Sequence, residues 1–230
     1  MRVLNFPFGP YPQRLDIYLA EKGLANIERG WFDPPSGNSG WPPDEIVELS
    51  PSGSLPIVVD DDGTVVTASL PILEYLEDAY PEPDMRGRSP AERAHVRQLV
   101  TVFDEAQDRF VLWARYGSAL GGRDRAGFSE VVLLGADQYF NRLKLAEQML
   151  GESQFLAGDR VTIADCVAMA MLHYNFEFYD VPIPPACKKL NAWYAQFVQR
   201  PSVAAPTFPP DKHQIARDLM GQTGIALPQI

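Results

Sequence analysis

The spacing of apolar residues changes along the chain near residue 79. Before that point the apolar residues form short runs. Ile57 to Val59 and Thr64 to Thr67 are β-branched and flank Asp62-Gly63, which predicts two strands joined by a two-residue turn. Beyond residue 79, apolar residues recur every three or four positions over long stretches, which predicts helices. The chain is therefore predicted to be an α+β protein, with a small mixed domain before an all-helical one.

The first part of the chain contains the remaining pieces of that mixed domain. Arg2 to Phe6 predicts a strand, and the helix after the next Pro- and Gly-rich loop ends at Lys22-Gly23. Trp31 to Glu45 is too rich in Pro and Gly for a regular element, so we interpret it as a loop that replaces or precedes a short second helix. Ser69 is the natural N-cap of a helix that follows the hairpin.

The second part of the chain reads as helices up to a Pro-rich tail. Predicted helices run from a capping box at Ser89 to about Tyr116, from Ser129 to Leu150, from Cys166 to Phe176 after a capping box at Thr162 and Asp165, and from Ala186 to Arg200, with a short one near Gln214 to Leu219. We predict a first domain over residues 1–78, a linker over 79–88, an all-α helical bundle over 89–203 and a tail over 204–230.

Charge and composition exclude several classes of function. The net charge of -10 argues against nucleic acid and anionic membrane surfaces as partners. No apolar run approaches the roughly 20 residues of a membrane span, and no secretory signal pattern opens the chain, so we expect a cytoplasmic protein. Cys166 and Cys187 lack C-x-x-C spacing, and the three histidines form no metal-binding motif. We predict no metal.

Two positions around the hairpin favour a ligand. Pro56 has no N–H to donate to a strand ladder, so Leu55 is expected to keep its own backbone N–H and C=O free for a peptide. Ser69 combines a hydroxyl with a helix N-terminus, which attracts a carboxylate. An ordinary proline and an ordinary helix cap explain the same residues, and the composition alone does not decide between these readings.

The run from Ser50 to Asp78 resembles the glutathione-binding core of the glutathione transferase family, in which a turn, a cis-proline, a hairpin and an acidic-Ser helix start follow one another. The resemblance implies a thioredoxin-like first domain. It implies that Leu55, before Pro56, exchanges backbone hydrogen bonds with the cysteinyl unit of glutathione, and that Ser69 holds the γ-glutamyl carboxylate. The sequence departs from the family at Ala68, where Glu, Gln or Asp usually pairs with the γ-glutamyl ammonium.

The resemblance also indicates where the thiol of glutathione is activated. The loop from Phe8 to Arg14 is similar to the Cys-Pro-Phe-Ala-Gln-Arg of omega-class members, with Gly9 in the Cys place. Gly9, Pro10 and Tyr11 are thus expected at the glutathione, with Tyr11 or Asn5 as the group that contacts its thiol. Trp41 either reaches the ligand from its loop or packs as an ordinary buried indole.

The family's first long helix lines the pocket for the electrophile and the dimer interface. By resemblance, Phe8, Phe110, Trp113 and Tyr116 are candidates for that hydrophobic pocket, although an aromatic stripe at helical spacing also fits a plain core. The resemblance implies a homodimer.

These features predict a glutathione transferase-like detoxification enzyme. It would bind glutathione as co-substrate and use the thiolate to attack a hydrophobic electrophile by conjugation, dehalogenation, ether cleavage or isomerisation. The alternative is a non-catalytic relative that binds glutathione or carries apolar ligands, and Gly9 and Ala68 favour it. A pure interaction scaffold is a third option.

Overall fold

The computed structural model describes residues 1–25, 27–32, 42–121, 128–204 and 207–228. The chain separates into two compact units, Met1–Met85 and Arg86–Ile230. The division falls inside the stretch 79–88 that the sequence predicts as a linker. The described part of the tail belongs to the second unit.

The first unit is a four-stranded mixed sheet with helices. In chain order its elements are β1 (Arg2–Asn5), α1 (Pro10–Lys22), β2 (Glu28–Trp31), α2 (Asp44–Leu49), β3 (Ile57–Val59), β4 (Val65–Thr67) and α3 (Ser69–Ala79). The strand order is β2-β1-β3-β4; β1 pairs in parallel with β2 and antiparallel with β3, and β3 pairs antiparallel with β4. This arrangement confirms the predicted thioredoxin-like domain.

Two details of this unit differ from the prediction. Strand β2 was not predicted, and its last residue, Trp31, lies in the stretch interpreted as a loop. Three of its four residues are exposed, so it lacks the alternating burial that marks a strand in sequence. The hairpin turn is longer than two residues, because the Asp60 N–H donates to the Thr64 carbonyl at 2.9 Å and Gly63 takes a φ of 87° between them.

A buried ion pair joins the C-terminal ends of α1 and α3. The Lys22 ammonium lies 2.7 Å from Oε1 of Glu77, and both side chains are fully shielded from solvent. The same Oε1 accepts a 2.6 Å hydrogen bond from the Tyr18 hydroxyl, and Oε2 accepts one from the Met85 N–H at 3.0 Å. Lys22 also donates to the Pro83 carbonyl at 2.6 Å. The network satisfies both charges and ties the segment after α3 to the two helices.

The second unit is entirely helical in its described residues, which confirms the predicted all-α domain. Its helices are α4 (Pro90–Gly117), α5 (Ser129–Met149), α6 (Ile163–Tyr179), α7 (Lys188–Phe197), α8 (Pro210–Ala216) and α9 (Leu219–Thr223), with a 3₁₀ turn at Ala119–Gly121. Within the described ranges no helix is both long and apolar enough to cross a membrane.

Helix starts in this unit follow the predicted capping chemistry. The Ser89 hydroxyl accepts a hydrogen bond from the Glu92 N–H at 3.1 Å and begins α4. The Thr162 and Asp165 capping box is present and begins α6, whose Asp165 carboxylate also accepts bonds from the Leu156 N–H and from Trp193 Nε1 at 3.0 and 2.9 Å. Asp165 therefore joins the preceding loop to α7 as well as capping its own helix.

The tail contains two short helices where the sequence predicts one near Gln214 to Leu219. Helix α8 ends at Ala216, and Asp218, with a φ of 56°, begins α9 by accepting a hydrogen bond from the Gly221 N–H at 3.1 Å. The Asp218 N–H and the Arg217 guanidinium both donate to the Asp180 carboxylate. These bonds hold the break between α8 and α9 against the end of α6.

Helix α6 buries a titratable histidine. His173 is 5% exposed, and its Nδ1 lies 2.8 Å from the Tyr194 hydroxyl on α7. Burial lowers the pKa of His173, and the nearby Glu177 carboxylate partly opposes that shift. The neutral imidazole is therefore the form that the folded unit favours.

Substituting Glu77 with Gln should destabilise the first unit by about 3 to 5 kcal/mol, because it leaves the buried Lys22 ammonium without its counter-charge. Amide hydrogen exchange of strands β1 and β3 measures this local stability. Glu45→Gln is a matched control, because the Arg2–Glu45 pair is 38% and 51% exposed and its loss should cost less than about 1 kcal/mol. Equal costs for the two variants would contradict the structural role of Glu77.

Acidification should destabilise the second unit through His173. A lowered folded pKa means that the unfolded chain binds the proton more readily, so this contribution is complete above the unfolded pKa and is lost as pH falls below it. Unfolding free energies measured between about pH 7.5 and about pH 5 should show a smaller slope for His173→Gln than for the wild type. An unchanged slope for His173→Gln would overturn the assignment.

Candidate functional site

Strand register brings three predicted site segments to one end of the sheet. Ile57 pairs with Leu4 of β1 and with Thr67 of β4. Asn5 ends β1, Leu55-Pro56 directly precedes β3, and Ala68-Ser69 directly follows β4. Because β3 runs antiparallel to both neighbours, its start lies beside their ends. The candidate residues, which are far apart in the sequence, therefore lie together at this end of the sheet, where α1 and α3 also begin.

Leu55 lies at this end of the sheet, and its backbone N–H and C=O bond to none of the described residues. Its side chain is 7% exposed and packs with Leu4, Ile46 and Ile57 in the core of the first unit. Within the described residues, the backbone N–H and C=O of Leu55 make no hydrogen bond. The Leu55–Pro56 peptide bond is cis. The anchored side chain fixes the position of a donor and an acceptor that a peptide ligand can use.

Ser69 begins α3 but does not cap it as predicted. The cap position is Ala68, which has a φ of 66° and no polar side chain, so Ser69 occupies the first helical position. Ser69 is 5% exposed, and its Oγ accepts a hydrogen bond from Arg14 Nη1 at 3.1 Å. The hydroxyl is therefore held by another side chain instead of by the start of its own helix.

Arg14 is the site residue that the sequence analysis missed. It is 1% exposed, although arginine is almost always at the surface. Its guanidinium carbon lies 5.2 Å from the centre of the Tyr11 ring, within the range of a cation–π contact. The available signal was its position beside Leu15, on the apolar side of α1. One buried cation thus contacts both Tyr11 and Ser69.

The start of α1 has few backbone donors. Pro10 and Pro12 have no N–H, and the Gln13 N–H already donates to the Gly9 carbonyl at 3.1 Å. Gly9 precedes the helix with φ 117° and ψ 158°, a region that only glycine adopts readily. Tyr11, which lies between the two prolines, has both an N–H and a phenol hydroxyl in this first turn.

Asn5 contacts the backbone on both sides of the loop between β1 and the first turn of α1. The side chain is 1% exposed; its Oδ1 accepts a hydrogen bond from the Phe6 N–H at 3.1 Å, and Nδ2 approaches the Pro12 carbonyl at 3.5 Å. Both polar atoms are thus directed at the chain on either side of the loop. This geometry fits a residue that positions the start of α1.

The predicted pocket residues lie in both units. Phe8 is half-buried in the first unit. In the second unit Phe110 and Trp113 are 1% and 0% exposed and pack against Tyr139, while Trp113 Nε1 donates to Thr223 Oγ1 at 3.2 Å. Tyr116 is half-buried, with its ring 4.7 Å from that of Phe128. The hydrophobic pocket stays a prediction, and Trp41 lies outside the described residues.

The second unit contains a cavity that the sequence analysis did not predict. It measures about 550 Å³ and lies between the loop after α5 and helix α7; its lining includes Leu150, Gln154, Leu156, Lys188, Trp193 and Gln196. None of the predicted site residues lines it. In the part of the chain that the structure describes, no cluster of three or more His, Cys, Asp or Glu side chains could hold a metal ion.

Comparison with known proteins agrees with this architecture. The glutathione S-transferase N-terminal domain model matches residues 8–79, and the corresponding C-terminal domain model matches residues 118–201. The chain is 31% identical over 210 residues to FtsZ-localized protein A of Caulobacter vibrioides, with 86% of each chain covered. It is 27% identical over 207 residues to Glutathione S-transferase 2 of Saccharomyces cerevisiae, with 88% of each covered.

A solved structure gives the same result. The crystal structure of Gtt2 from Saccharomyces cerevisiae superposes with a TM-score of 0.75 at 26% identity, covering 88% of this chain and 98% of that one. Both domain models match in the expected order, and a relative above 30% identity aligns over most of its length. The chain belongs to the glutathione S-transferase family.

Proposed function

We propose that this protein is a glutathione transferase that binds glutathione where β1 and β4 end and β3 begins, and uses the thiolate to attack a hydrophobic electrophile. The observation that carries the proposal is the presence of two features at this end of the sheet. Leu55 presents a backbone donor and acceptor that bond to none of the described residues, and Ser69 presents a hydroxyl held by a buried arginine at a helix start. Together they suit a short peptide with a carboxylate.

Two parts of glutathione have a matching group in this scheme. The cysteinyl unit exchanges hydrogen bonds with the backbone of Leu55, and the γ-glutamyl carboxylate binds at Ser69, where the helix N-terminus favours a negative charge. Ala68 supplies no carboxylate for the γ-glutamyl ammonium. The scheme therefore accounts for the cysteinyl unit and the γ-glutamyl carboxylate, and it assigns no partner to the γ-glutamyl ammonium.

Activation of the thiol is assigned to Tyr11. A thiol with a pKa near 8.5 becomes mostly thiolate at neutral pH when that pKa falls by roughly 2 units, about 2.7 kcal/mol. A helix N-terminus supplies up to about 2 kcal/mol, and a hydrogen bond to a charged group about 1.5 to 3 kcal/mol. Tyr11 has an N–H and a phenol hydroxyl in the first turn of α1, and Asn5 supports it by holding the backbone of the same loop.

The second substrate is proposed to be a hydrophobic electrophile. Conjugation, dehalogenation, ether cleavage and isomerisation all use a bound glutathione thiolate, and a hydrophobic pocket does not choose among them. A cytoplasmic detoxification enzyme that acts as a homodimer completes the proposal by analogy with the family.

Gly9 favours a second candidate function, a non-catalytic relative that binds glutathione or carries apolar ligands. The position has no side chain, and its backbone geometry is one that Ser and Cys rarely adopt. One relative, FtsZ-localized protein A, is named for a location and not for a reaction. In this alternative glutathione binds at Leu55 and Ser69, and the thiol of the bound glutathione stays protonated.

Titration of bound glutathione separates the two functions. Near-ultraviolet difference absorbance should show its thiol pKa lowered by about 2 units in the wild type, and Tyr11→Phe should return at least half of that shift if the phenol is the donor. Ser69→Ala should weaken glutathione binding and leave the thiol pKa of the bound fraction unchanged. A bound thiol with its ordinary pKa would establish the non-catalytic function, and absence of binding would contradict both.

Gly9→Ser should destabilise the first unit by about 1 to 3 kcal/mol, because a φ of 117° is strained for any residue with a Cβ. Sterics do not cause this cost, since the nearest atom to an added Cβ is Pro12 Cδ at 3.5 Å. Local hydrogen exchange is the measurement. Gly151→Ser, at an open position with an ordinary φ, should cost less than about 1 kcal/mol, and an equally small cost at Gly9 would contradict the strain.

A further inference from the structure

We propose that the site at Leu55 and Ser69 takes, as its thiol co-substrate, a glutathione whose glycyl carboxylate is blocked as an amide. This rests on the proposed function, because it concerns the same site. It goes beyond that function by naming the chemical class of the co-substrate. The observation that carries it is the unequal distribution of charge between the two units of the chain.

The first unit carries the whole net charge of the chain. Residues 1–85 contain 15 acidic side chains, four basic ones and no histidine, which gives a formal charge of -11. Residues 86–230 contain 15 acidic and 16 basic side chains, a formal charge of +1, so they do not offset it. At neutral pH glutathione has two carboxylates and one ammonium and is itself an anion. The field of the first unit therefore opposes its binding unless cations pair with both carboxylates.

The four basic side chains of the first unit all have partners within it. The four pairs are Arg2 with Glu45, Arg14 with Ser69, Lys22 with Glu77, and Arg29 with Asp16. Arg2 begins β1 and Lys22 ends α1, so neither lies at the end of the sheet where β3 begins. Arg29 lies on β2, which β1 separates from β3. Arg14 reaches the site at Ser69, where the γ-glutamyl carboxylate is placed, so this unit has no cation left for the glycyl carboxylate.

The surface beside Leu55 is acidic. Helix α2 packs against Leu55 through its buried Ile46. The exposed residues of that helix include three acids, Asp44, Glu45 and Glu48. The glycyl unit directly follows the cysteinyl unit that the proposed function places at Leu55, so it lies within one residue, roughly 3.5 Å of chain, of this position. A free carboxylate there meets like charges, whereas an amide does not.

Neutral hydrogen-bonding groups lie next to Leu55 instead of cations. Ser54 directly precedes it and is exposed. The Ser54 hydroxyl lies 2.6 Å from that of Ser52, which in turn lies 3.1 Å from that of Ser50. A hydroxyl both donates and accepts a hydrogen bond, and so does an amide group. This row of hydroxyls therefore suits a blocked carboxyl group and adds no positive charge that would favour a free one.

Three forms of the co-substrate test the proposal by calorimetric titration. They are glutathione, its C-terminal amide, and the amide that it forms with ethylenediamine, which adds an ammonium. At about 20 mM salt the amide should bind at least about threefold more tightly than glutathione, and the ethylenediamine derivative at least about tenfold more tightly. At about 500 mM salt both ratios should fall below about twofold, because the charges are then screened.

Two variants with the same change of charge locate the effect. Glu48→Lys reverses one exposed charge on α2 and should lower the preference for the amide at least about threefold. Glu82→Lys makes the same change beside Pro83, whose carbonyl accepts from Lys22 at the other end of α1, and should lower the preference by less. Circular dichroism checks that both variants fold. Equal effects of the two variants would overturn the assignment of the preference to the surface beside Leu55.

The outcomes distinguish this proposal from the proposed function. If glutathione binds as tightly as its amide at low salt, or more tightly, a cation pairs with the glycyl carboxylate; the preference for a blocked carboxyl group is then overturned while the proposed function stands. If none of the three ligands binds, the proposed function is overturned, and the preference with it.

Discussion

Two buried cations hold α1 and α3 together, one at each end of the pair. At the C-terminal ends, Lys22 and Glu77 form a fully shielded ion pair whose carboxylate also accepts from Tyr18 and Met85. At the N-terminal ends, Arg14 donates to Ser69. The Lys22–Glu77 ion pair holds the C-terminal ends of the two helices together, and the Arg14–Ser69 hydrogen bond joins their N-terminal halves at the candidate site. The candidate site residues on these two helices are therefore held in one arrangement by contacts at both ends.

Sequence reasoning found the elements whose signal is local. The β-branched runs beside Asp62-Gly63 form the hairpin, and the Thr162 and Asp165 box begins α6 as predicted. Strand β2 escaped detection because its side chains are mostly exposed and its existence depends on pairing with β1. Arg14 was missed although it lies beside Leu15 on the buried side of α1, because its contact with Ser69 joins distant parts of the chain and has no periodic signature.

Some features of the candidate site follow from the family fold, whereas others depend on residues particular to this chain. The sheet register that gathers Asn5, Leu55 and Ser69 at one edge follows from the thioredoxin-like topology, which relatives share. The donors at the start of α1 depend on this chain's own prolines, which remove two N–H groups from the first turn. The position of the candidate site thus follows from the scaffold, whereas the chemistry that the site can perform depends on a small number of residues particular to this chain.

The backbone at Gly9 also restricts how this lineage can change. A serine or cysteine codon lies one nucleotide away from a common glycine codon, so mutation reaches a nucleophile at this position easily. With φ 117° and ψ 158° before a helix that opens Pro-Tyr-Pro, the local conformation opposes such a change until the loop itself is rebuilt. The genetic step to a serine or cysteine is therefore short, but the strain of the folded loop opposes it.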